Sequence, residues 1–277
     1  MQSKIAIIMS GGGMSCSYGA GALTALIEKY NITNPDIIIA RSGSAGTGSY
    51  FVSKQYNSIK NIWQKLLSNK KFINPLKVFQ PMDINYLINE VFRKQDILNI
   101  SNIYNSDIQF LVPVTNSTTG EVKYFNNKDN VDWFEVLRAT KALPLLFNQT
   151  ITINNENYFD IYGWKLNKID IAKAIELGTT KIIVIDNENR NFINNFIFSI
   201  LIKLRGKTFS KNYYENIRKA EQILSISNVD IIYLLPKSKI KVGPMDNNSK
   251  KLQNAFKQGF NETVNNKDLK TFINKYD

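Results

Sequence analysis

A serine in a short run of small residues is the first candidate for chemistry in this sequence. The run Ser42–Gly46 follows an apolar stretch, Asp36–Ala40, and precedes a stretch with helical character. A serine at such a strand-to-helix turn can form a sharp elbow that exposes its hydroxyl, as in a G-x-S-x-G motif. We take Ser44 as the candidate nucleophile, with Ser42 in the place of the first glycine. A loop serine that caps the helix is the alternative for this motif taken alone.

A glycine run after the first apolar stretch, Lys4–Met9, is the second candidate. Its N–H groups form an anion site at a helix start, which fits an oxyanion hole or a phosphate cradle. A P-loop is excluded because no Gly-Lys-Ser/Thr follows, and the last glycine of a dinucleotide fingerprint is missing. A tight turn packed on the sheet is the structural alternative. The candidate oxyanion donors are Gly11, Gly12, Gly13 and Met14.

The base that would activate such a serine cannot be an imidazole, because the 277 residues include no histidine and one cysteine. This excludes a Ser-His-Asp triad, His-ligated metal sites, an internal disulfide and a Cys-rich cluster. Acid–base chemistry must therefore use carboxylates, Lys, Tyr or the backbone. Cys16 at a helix start is expected to pack and not to react. No metal or cofactor is expected, since Asp186, Glu188 and Asp246 are typical of solvated loop carboxylates.

The elements that must position these residues predict an α/β fold. Four apolar stretches read as buried parallel strands, namely 4–9, 36–40, 181–186 and 230–235. We predict one three-layer α/β/α sandwich with a mainly parallel sheet, spanning residues 1–277, with its site at the carboxyl ends of the strands. Residues 57–105 are interpreted as a helical insertion over this site, and residues 194–226 as a pair of basic helices.

The charge balance favours polyanionic partners, because 35 Lys and Arg residues against 23 Asp and Glu residues give a net charge of +12. The stretch Phe192–Arg205 combines an apolar face with cations near its end, which fits either an interfacial helix or a helix packed on the core. Arg41 is interpreted as a surface charge. No signal peptide or spanning segment is found, so we expect a cytoplasmic protein that contacts anionic membrane surfaces peripherally.

Three ordered blocks resemble the patatin-like phospholipase family. The segment Ile8–Leu23 is similar to its oxyanion loop and following helix, Ser42–Gly46 to its nucleophile elbow, and Lys141–Phe147 with Tyr158–Asp160 to the stretch that leads into its catalytic aspartate. The resemblance implies a Ser44–Asp160 dyad. It also implies lipid acyl hydrolysis, with phospholipid or another acyl-ester lipid as substrate and no nucleic acid as partner. No protein partner is predicted, and the resemblance leaves secretion as an effector open.

Several residues depart from the family's pattern. Ser15 stands where the family usually has Arg, and Ile161 and Tyr162 follow Asp160 where small residues are usual. An ungapped alignment from the later helix would put Tyr162 at the catalytic position. The alternative function is therefore a catalytically impaired member of the fold that binds lipid or a protein partner. Nucleotide or nucleic-acid binding through the glycine loop is the third and weakest hypothesis.

Overall fold

A mixed, mainly parallel sheet of eight strands forms the centre of the fold. This computed structural model describes residues 3–274, apart from 75, 78–79, 145–146, 148, 162–164 and 188–201. The strands are β1 (Ile5–Met9), β2 (Ile37–Ala40), β3 (Gln109–Asn116), β4 (Val122–Asn126), β5 (Ile151–Ile153), β6 (Glu156–Phe159), β7 (Lys181–Ile185) and β8 (Asp230–Leu234). Their spatial order is β5-β6-β3-β2-β1-β7-β8, and β4 pairs with β3.

The five strands from β3 to β8 through β2, β1 and β7 run parallel, whereas the pairs β3–β4, β3–β6 and β5–β6 are antiparallel. β1, β2 and β7 are almost completely buried, as the apolar stretches predict for strands covered on both faces. Side chains alternate between the faces, so that Ile7 and Met9 join one core cluster while Ala6 and Ile8 join the other.

Helices flank the sheet. They are α1 (Cys16–Tyr30), α2 (Gly43–Val52), α3 (Tyr56–Asn61), α4 (Ile84–Tyr86), α5 (Ile100–Asn105), α6 (Trp133–Ala139), α7 (Leu166–Glu176), α8 (Lys207–Ile226), α9 (Ser249–Val264) and α10 (Lys267–Asn274). Wider π-helical turns continue α3 through Ile62–Leu66 and α4 through Leu87–Gln95. The predicted α/β class with a mainly parallel sheet is confirmed. Helices α9 and α10 are separated near Asn265.

The order of the strands brings the two small-residue turns together. β1 and β2 are adjacent and parallel, with Met9 opposite Ala40 at their carboxyl ends. The loop after β1 contains the glycine run and a 3₁₀ turn (Gly13–Ser15), and the loop after β2 leads directly into α2. Both turns therefore leave the same edge of the sheet, side by side.

The described part of the chain contains neither a candidate membrane-spanning helix nor a candidate metal-binding cluster. No helix within it is both long and apolar enough to cross a bilayer. No group of three or more Cys, Asp or Glu side chains within it could hold a metal ion.

Candidate active site

Ser42 occupies the sharpest turn of the candidate site. It follows β2 and precedes the first residue of α2, and its backbone has φ 55° and ψ −125°. A non-glycine residue rarely adopts a positive φ, and such strain is held in place by surrounding structure at functional elbows. The backbone N–H of Ser42 donates to the Thr140 hydroxyl over 3.0 Å, which fixes the turn from the side of α6. The residue at the strained point of the turn is therefore Ser42, whereas Ser44 lies within α2.

Close backbone packing sets the glycine loop against this elbow. A Cβ atom on Gly11 would lie 3.1 Å from the Ser42 Cβ, and one on Gly43 would lie 2.8 Å from the Gly13 carbonyl oxygen. A side chain at Gly43 would force the backbone apart, and one at Gly11 would require the Ser42 side chain to give by a few tenths of an ångström. The small residues therefore allow the two turns to meet closely.

Asp160 lies directly after β6 and beside the elbow. Asp160 is 4% exposed, and its carboxylate interacts with the Ser42 side chain. Burial raises the pKa of Asp160 to about 7, while the Ser42 side chain and the charges of Arg41 and Lys141 limit the rise. The structure therefore brings Asp160 next to Ser42, with a pKa suited to accepting a proton near neutral pH.

Ser44, the residue expected as nucleophile, lies one position inside α2 and is fully buried. Its hydroxyl donates to the Ser10 carbonyl oxygen over 2.7 Å and accepts from the Asn187 amide over 3.3 Å. The Ser44 hydroxyl thus donates its hydrogen to the residue that directly follows β1. These bonds join Ser44 to the glycine loop and leave Ser42 as the serine that meets Asp160.

The backbone N–H groups near the elbow differ in whether they already donate a hydrogen bond within the protein. The Met14 N–H donates to the Pro244 carbonyl oxygen over 3.0 Å, so this expected oxyanion donor is occupied. Within the described residues, no turn, loop or cap hydrogen bond of the backbone has the N–H of Gly12, Gly13 or Gly43 as its donor. Gly43 directly follows the elbow serine, which is the usual position of an oxyanion donor in such elbows, and the sequence analysis did not select it.

A pocket opens from the elbow into the helices of residues 56–105. It is lined by Ser42, Gly43 and a largely apolar wall. This wall includes Tyr50, Ile59, Ile62, Trp63, Leu67, Phe72, Met82, Ile84, Leu87, Phe92 and Leu143. Ser44 is not part of the lining. The helical segment expected over the site therefore supplies most of the wall.

Two cations near the site, Arg41 and Lys141, are buried, and the sequence indicated this for neither of them. Arg41, interpreted as a surface charge, is only 3% exposed, because it donates two hydrogen bonds to Asp170 of α7 at 2.9 and 2.7 Å. The Tyr124 hydroxyl donates to the same carboxylate over 2.7 Å. Lys141, which the sequence analysis did not select, is buried in the pocket wall.

Cys16 and Ser15 have structural positions beneath the glycine loop. Burial raises the pKa of the Cys16 thiol to about 12, so the thiol stays protonated. Its expected packing role agrees with complete burial. The Ser15 hydroxyl, in the place of the family's usual Arg, donates to the Val242 carbonyl oxygen over 2.9 Å.

Support for the glycine loop comes from segments that the sequence analysis did not connect to it. The Asn187 amide donates to the Ser10 carbonyl oxygen over 2.8 Å, and the Ser10 hydroxyl donates to Asp186 over 3.0 Å. Asp186 therefore supports the loop and is not the solvated carboxylate expected. Because these partners are about 177 residues apart in sequence, only the pairing of β1 with β7 brings them together.

Parts of the sequence predictions fall outside the described residues. Tyr162, the alternative to Asp160, lies outside the described residues. Residues 188–201 also lie outside them, and these include Glu188 and most of the stretch Phe192–Arg205. Ile161, the residue after Asp160, is described and is buried.

The family model described as Patatin-like phospholipase matches residues 7–160, from β1 to the candidate aspartate. This chain belongs to the patatin-like phospholipase family. The match spans both turns and ends on Asp160. Membership supports lipid acyl hydrolysis as the general class of activity.

Individual relatives are distant. The uncharacterized protein YjjU of Escherichia coli (strain K12) is 22% identical over 189 residues, which cover 66% of this chain and 51% of YjjU. The chain thus spans about half the length of that curated relative. The crystal structure of VipD from Legionella pneumophila matches with a TM-score of 0.52 and 12% identity, covering all of this chain and 67% of VipD. At this identity the likeness to VipD shows a shared fold.

Proposed function

We propose that this protein is a lipid acyl hydrolase in which Ser42 is the nucleophile and Asp160 the base. The observation that carries the proposal is the strained Ser42 elbow, which interacts with the Asp160 carboxylate and lines an apolar pocket. The first experiment is fatty-acid release from phospholipid and from a soluble short-chain ester, with parallel labelling by a serine-directed fluorophosphonate. A wild-type protein that hydrolyses neither ester and takes no label would favour the catalytically impaired alternative.

The acylation step follows from these contacts. The Ser42 hydroxyl gives its proton to an Asp160 carboxylate oxygen as Ser42 Oγ bonds to the acyl carbonyl carbon. The negative charge that develops on the carbonyl oxygen is stabilised by the N–H groups of Gly12, Gly13 and Gly43. Collapse breaks the ester C–O bond, and the leaving alcohol takes the proton from Asp160. The acyl group then remains on Ser42.

Deacylation repeats the same steps with water. The Asp160 carboxylate accepts a proton from water while the water oxygen attacks the acyl carbonyl carbon. The bond to Ser42 Oγ breaks, Ser42 recovers the proton from Asp160, and the fatty acid leaves. No metal or further cofactor is needed to balance these steps.

The pocket wall favours an acyl chain as the group held beside the nucleophile. Aromatic and aliphatic side chains from Tyr50 to Phe92 line its interior, and few polar groups compete for a ligand. Burial of an alkyl chain there is favourable by ~0.8 kcal/mol per CH₂. The helical segment, and not the sheet, then determines which lengths of acyl chain the pocket accepts.

The raised pKa of Asp160 predicts a specific pH dependence. Below its pKa the carboxyl is protonated and cannot accept the Ser42 proton, and above it the carboxylate is available. The expected rate of fluorophosphonate labelling therefore rises with pH and is half-maximal at about 7. The measurement is the labelling rate between about pH 5 and about pH 9. A half-maximum near the ordinary carboxyl pKa of about 4 would contradict the assignment.

The pocket rim carries the features expected of a membrane contact. Phe72 and Met82 line the pocket, and the loop between them is closed by a bridge between Ile73 and Met82. Within this loop Leu76 is 85% exposed and Lys77 is exposed. Lys70 and Lys71, also exposed, immediately precede it. We define Lys70, Lys71, Leu76 and Lys77 as the rim, and propose that it contacts anionic lipid.

Reversing the charge of the rim tests this contact. The triple variant Lys70→Glu, Lys71→Glu and Lys77→Glu is expected to lower binding to phosphatidylserine vesicles by at least ~10-fold, because each juxtamembrane cation contributes ~1 kcal/mol. Hydrolysis of a soluble short-chain ester is expected to stay within ~3-fold of wild type. Vesicle sedimentation and ester hydrolysis measure the two effects.

The matched control reverses three exposed lysines of α8, the variant Lys207→Glu, Lys211→Glu and Lys219→Glu. It makes the same change in net charge within residues 194–226, which the sequence predicts to be basic helices. Retained vesicle binding in the control is expected. Loss of binding in the control but not in the rim variant would move the membrane contact from the rim to α8.

A further inference from the structure

Lys141 is an unusual side chain for the wall of an acyl pocket. It is 4% exposed, and its Nζ atom has no hydrogen-bond partner among the residues that the structure describes. It is also the one charged residue found in the described pocket lining. A buried ammonium without a nearby anion is strongly unfavourable, so its neighbours must explain its presence.

The backbone of Lys141 lies between the two residues that hold the proposed dyad. Thr140 accepts the Ser42 N–H at its hydroxyl over 3.0 Å. The Ala142 carbonyl oxygen accepts the Asp160 N–H over 3.1 Å. Lys141 is therefore attached on one side to the elbow and on the other to the base, with little freedom to move away from either.

The charged and titratable groups that face this site are few. Asp160 and the Cys16 thiol act on Lys141, and Cys16 stays neutral because burial raises the pKa of its thiol. Arg41 also acts on Asp160, but both of its hydrogen bonds to a carboxylate go to Asp170. Both cations thus act on Asp160, but Arg41 is held by Asp170, whereas the Lys141 ammonium has no hydrogen bond to another carboxylate among the described residues.

We propose that Lys141 is a positioning residue whose charge keeps the buried Asp160 carboxylate ionised, so that it can accept the Ser42 proton. The inference rests on the proposed function of Ser42 and Asp160, and it adds a third group to that site. Burial lowers the pKa of Lys141 to about 7, and the Asp160 charge limits that fall. Each group therefore stabilises the charged form of the other.

Removal of the charge at nearly constant length tests this role. In Lys141→Met, the half-maximum of kcat/KM for a soluble ester is expected to move up by about one pH unit or more. The loss should be ~10-fold at about pH 6.5 and within ~3-fold at about pH 9. KM should change little. Lys141→Gln is the second variant if Met is poorly tolerated, and Lys141→Arg should restore the wild-type midpoint.

A measurement independent of turnover separates this inference from the proposed function. Carboxyl ¹³C NMR should show a higher pKa for Asp160 in Lys141→Met than in wild type, even with Ser42 replaced by Ala. The matched control, Lys65→Met, removes an exposed lysine from the pocket segment and should leave the midpoint unchanged. An equal loss at every pH with an unchanged Asp160 pKa would overturn the role of Lys141. Full activity in Ser42→Ala would instead overturn the proposed nucleophile.

Discussion

Replacing Ser42 by alanine is expected to lower kcat/KM for acyl-ester hydrolysis by ~10⁴-fold or more, because the attacking oxygen is removed. The fold should persist, since the N–H of Ser42 that bonds Thr140 is unchanged. Binding of the substrate's acyl chain should persist as well, because the apolar wall of the pocket stays intact. Fatty-acid release from phospholipid micelles and from a soluble ester measures the loss.

Ser44→Ala is the matched control, because it makes the same substitution two residues along the same turn. It removes the hydrogen bonds to Ser10 and from Asn187, which costs stability of ~1 kcal/mol for each bond. Activity is expected to stay within ~10-fold of wild type. Loss of activity in Ser44→Ala together with an active Ser42→Ala enzyme would return the nucleophile to Ser44.

Replacing Asp160 by asparagine is expected to lower kcat by ~10³- to ~10⁴-fold. Asparagine keeps the shape of the side chain and can still bond to Ser42, but its amide does not accept a proton at neutral pH. KM should change little, because the acyl pocket does not include this side chain. Steady-state kinetics with the soluble ester measures both constants.

Asp186→Asn provides the comparison for this variant. Asp186 is another buried carboxylate at the ends of the strands, and it accepts a hydrogen bond from Ser10. Its replacement should slow the enzyme by less than ~10-fold, since it supports the glycine loop and is not the proposed base. An Asp160→Asn enzyme as active as Asp186→Asn would exclude Asp160 as the base.

The fold follows from the sequence because its strongest signals are local. Continuous apolar stretches at β1, β2, β7 and β8 predict buried parallel strands, and the glycine-rich turns predict where the chain leaves the sheet. Asp160 is selected from the resemblance of Tyr158–Asp160 to the family's stretch before its catalytic aspartate, and in the structure it follows β6. Each of these features depends on neighbouring residues, so one sequence is sufficient to find it.

Local sequence patterns could not decide between Ser42 and Ser44 as the candidate nucleophile. The segment Ala40–Gly46 fits G-x-S-x-G in two registers, with one glycine replaced in the first register and both glycines replaced in the second. In one register Ser42 stands for the first glycine, and in the other it is the central serine with Ala40 and Ser44 in the outer positions. The positive φ of Ser42 and its interaction with Asp160 are the observations on which we propose the second register. Neither is visible in residue types.

The electrostatic environment of the site depended on contacts distant in sequence. Arg41 looked like a surface charge because its partner Asp170 lies 129 residues away. Lys141 gave no signal, since a lysine beside alanine and leucine is common in solvated helices. Pro244, whose carbonyl oxygen occupies the Met14 N–H, lies far along the chain after the last strand. Only the packed structure shows that these groups act on one site.

The modified residue after fluorophosphonate labelling tests the central claim most directly. Wild-type protein is labelled at about pH 8, where Asp160 is ionised, and digested, and the adduct is located by fragment-ion mass spectrometry across residues 41–46. We predict the adduct on Ser42, with none formed in Ser42→Ala and retained labelling in Ser44→Ala. An adduct on Ser44, or labelling that persists in Ser42→Ala, would contradict the proposed nucleophile.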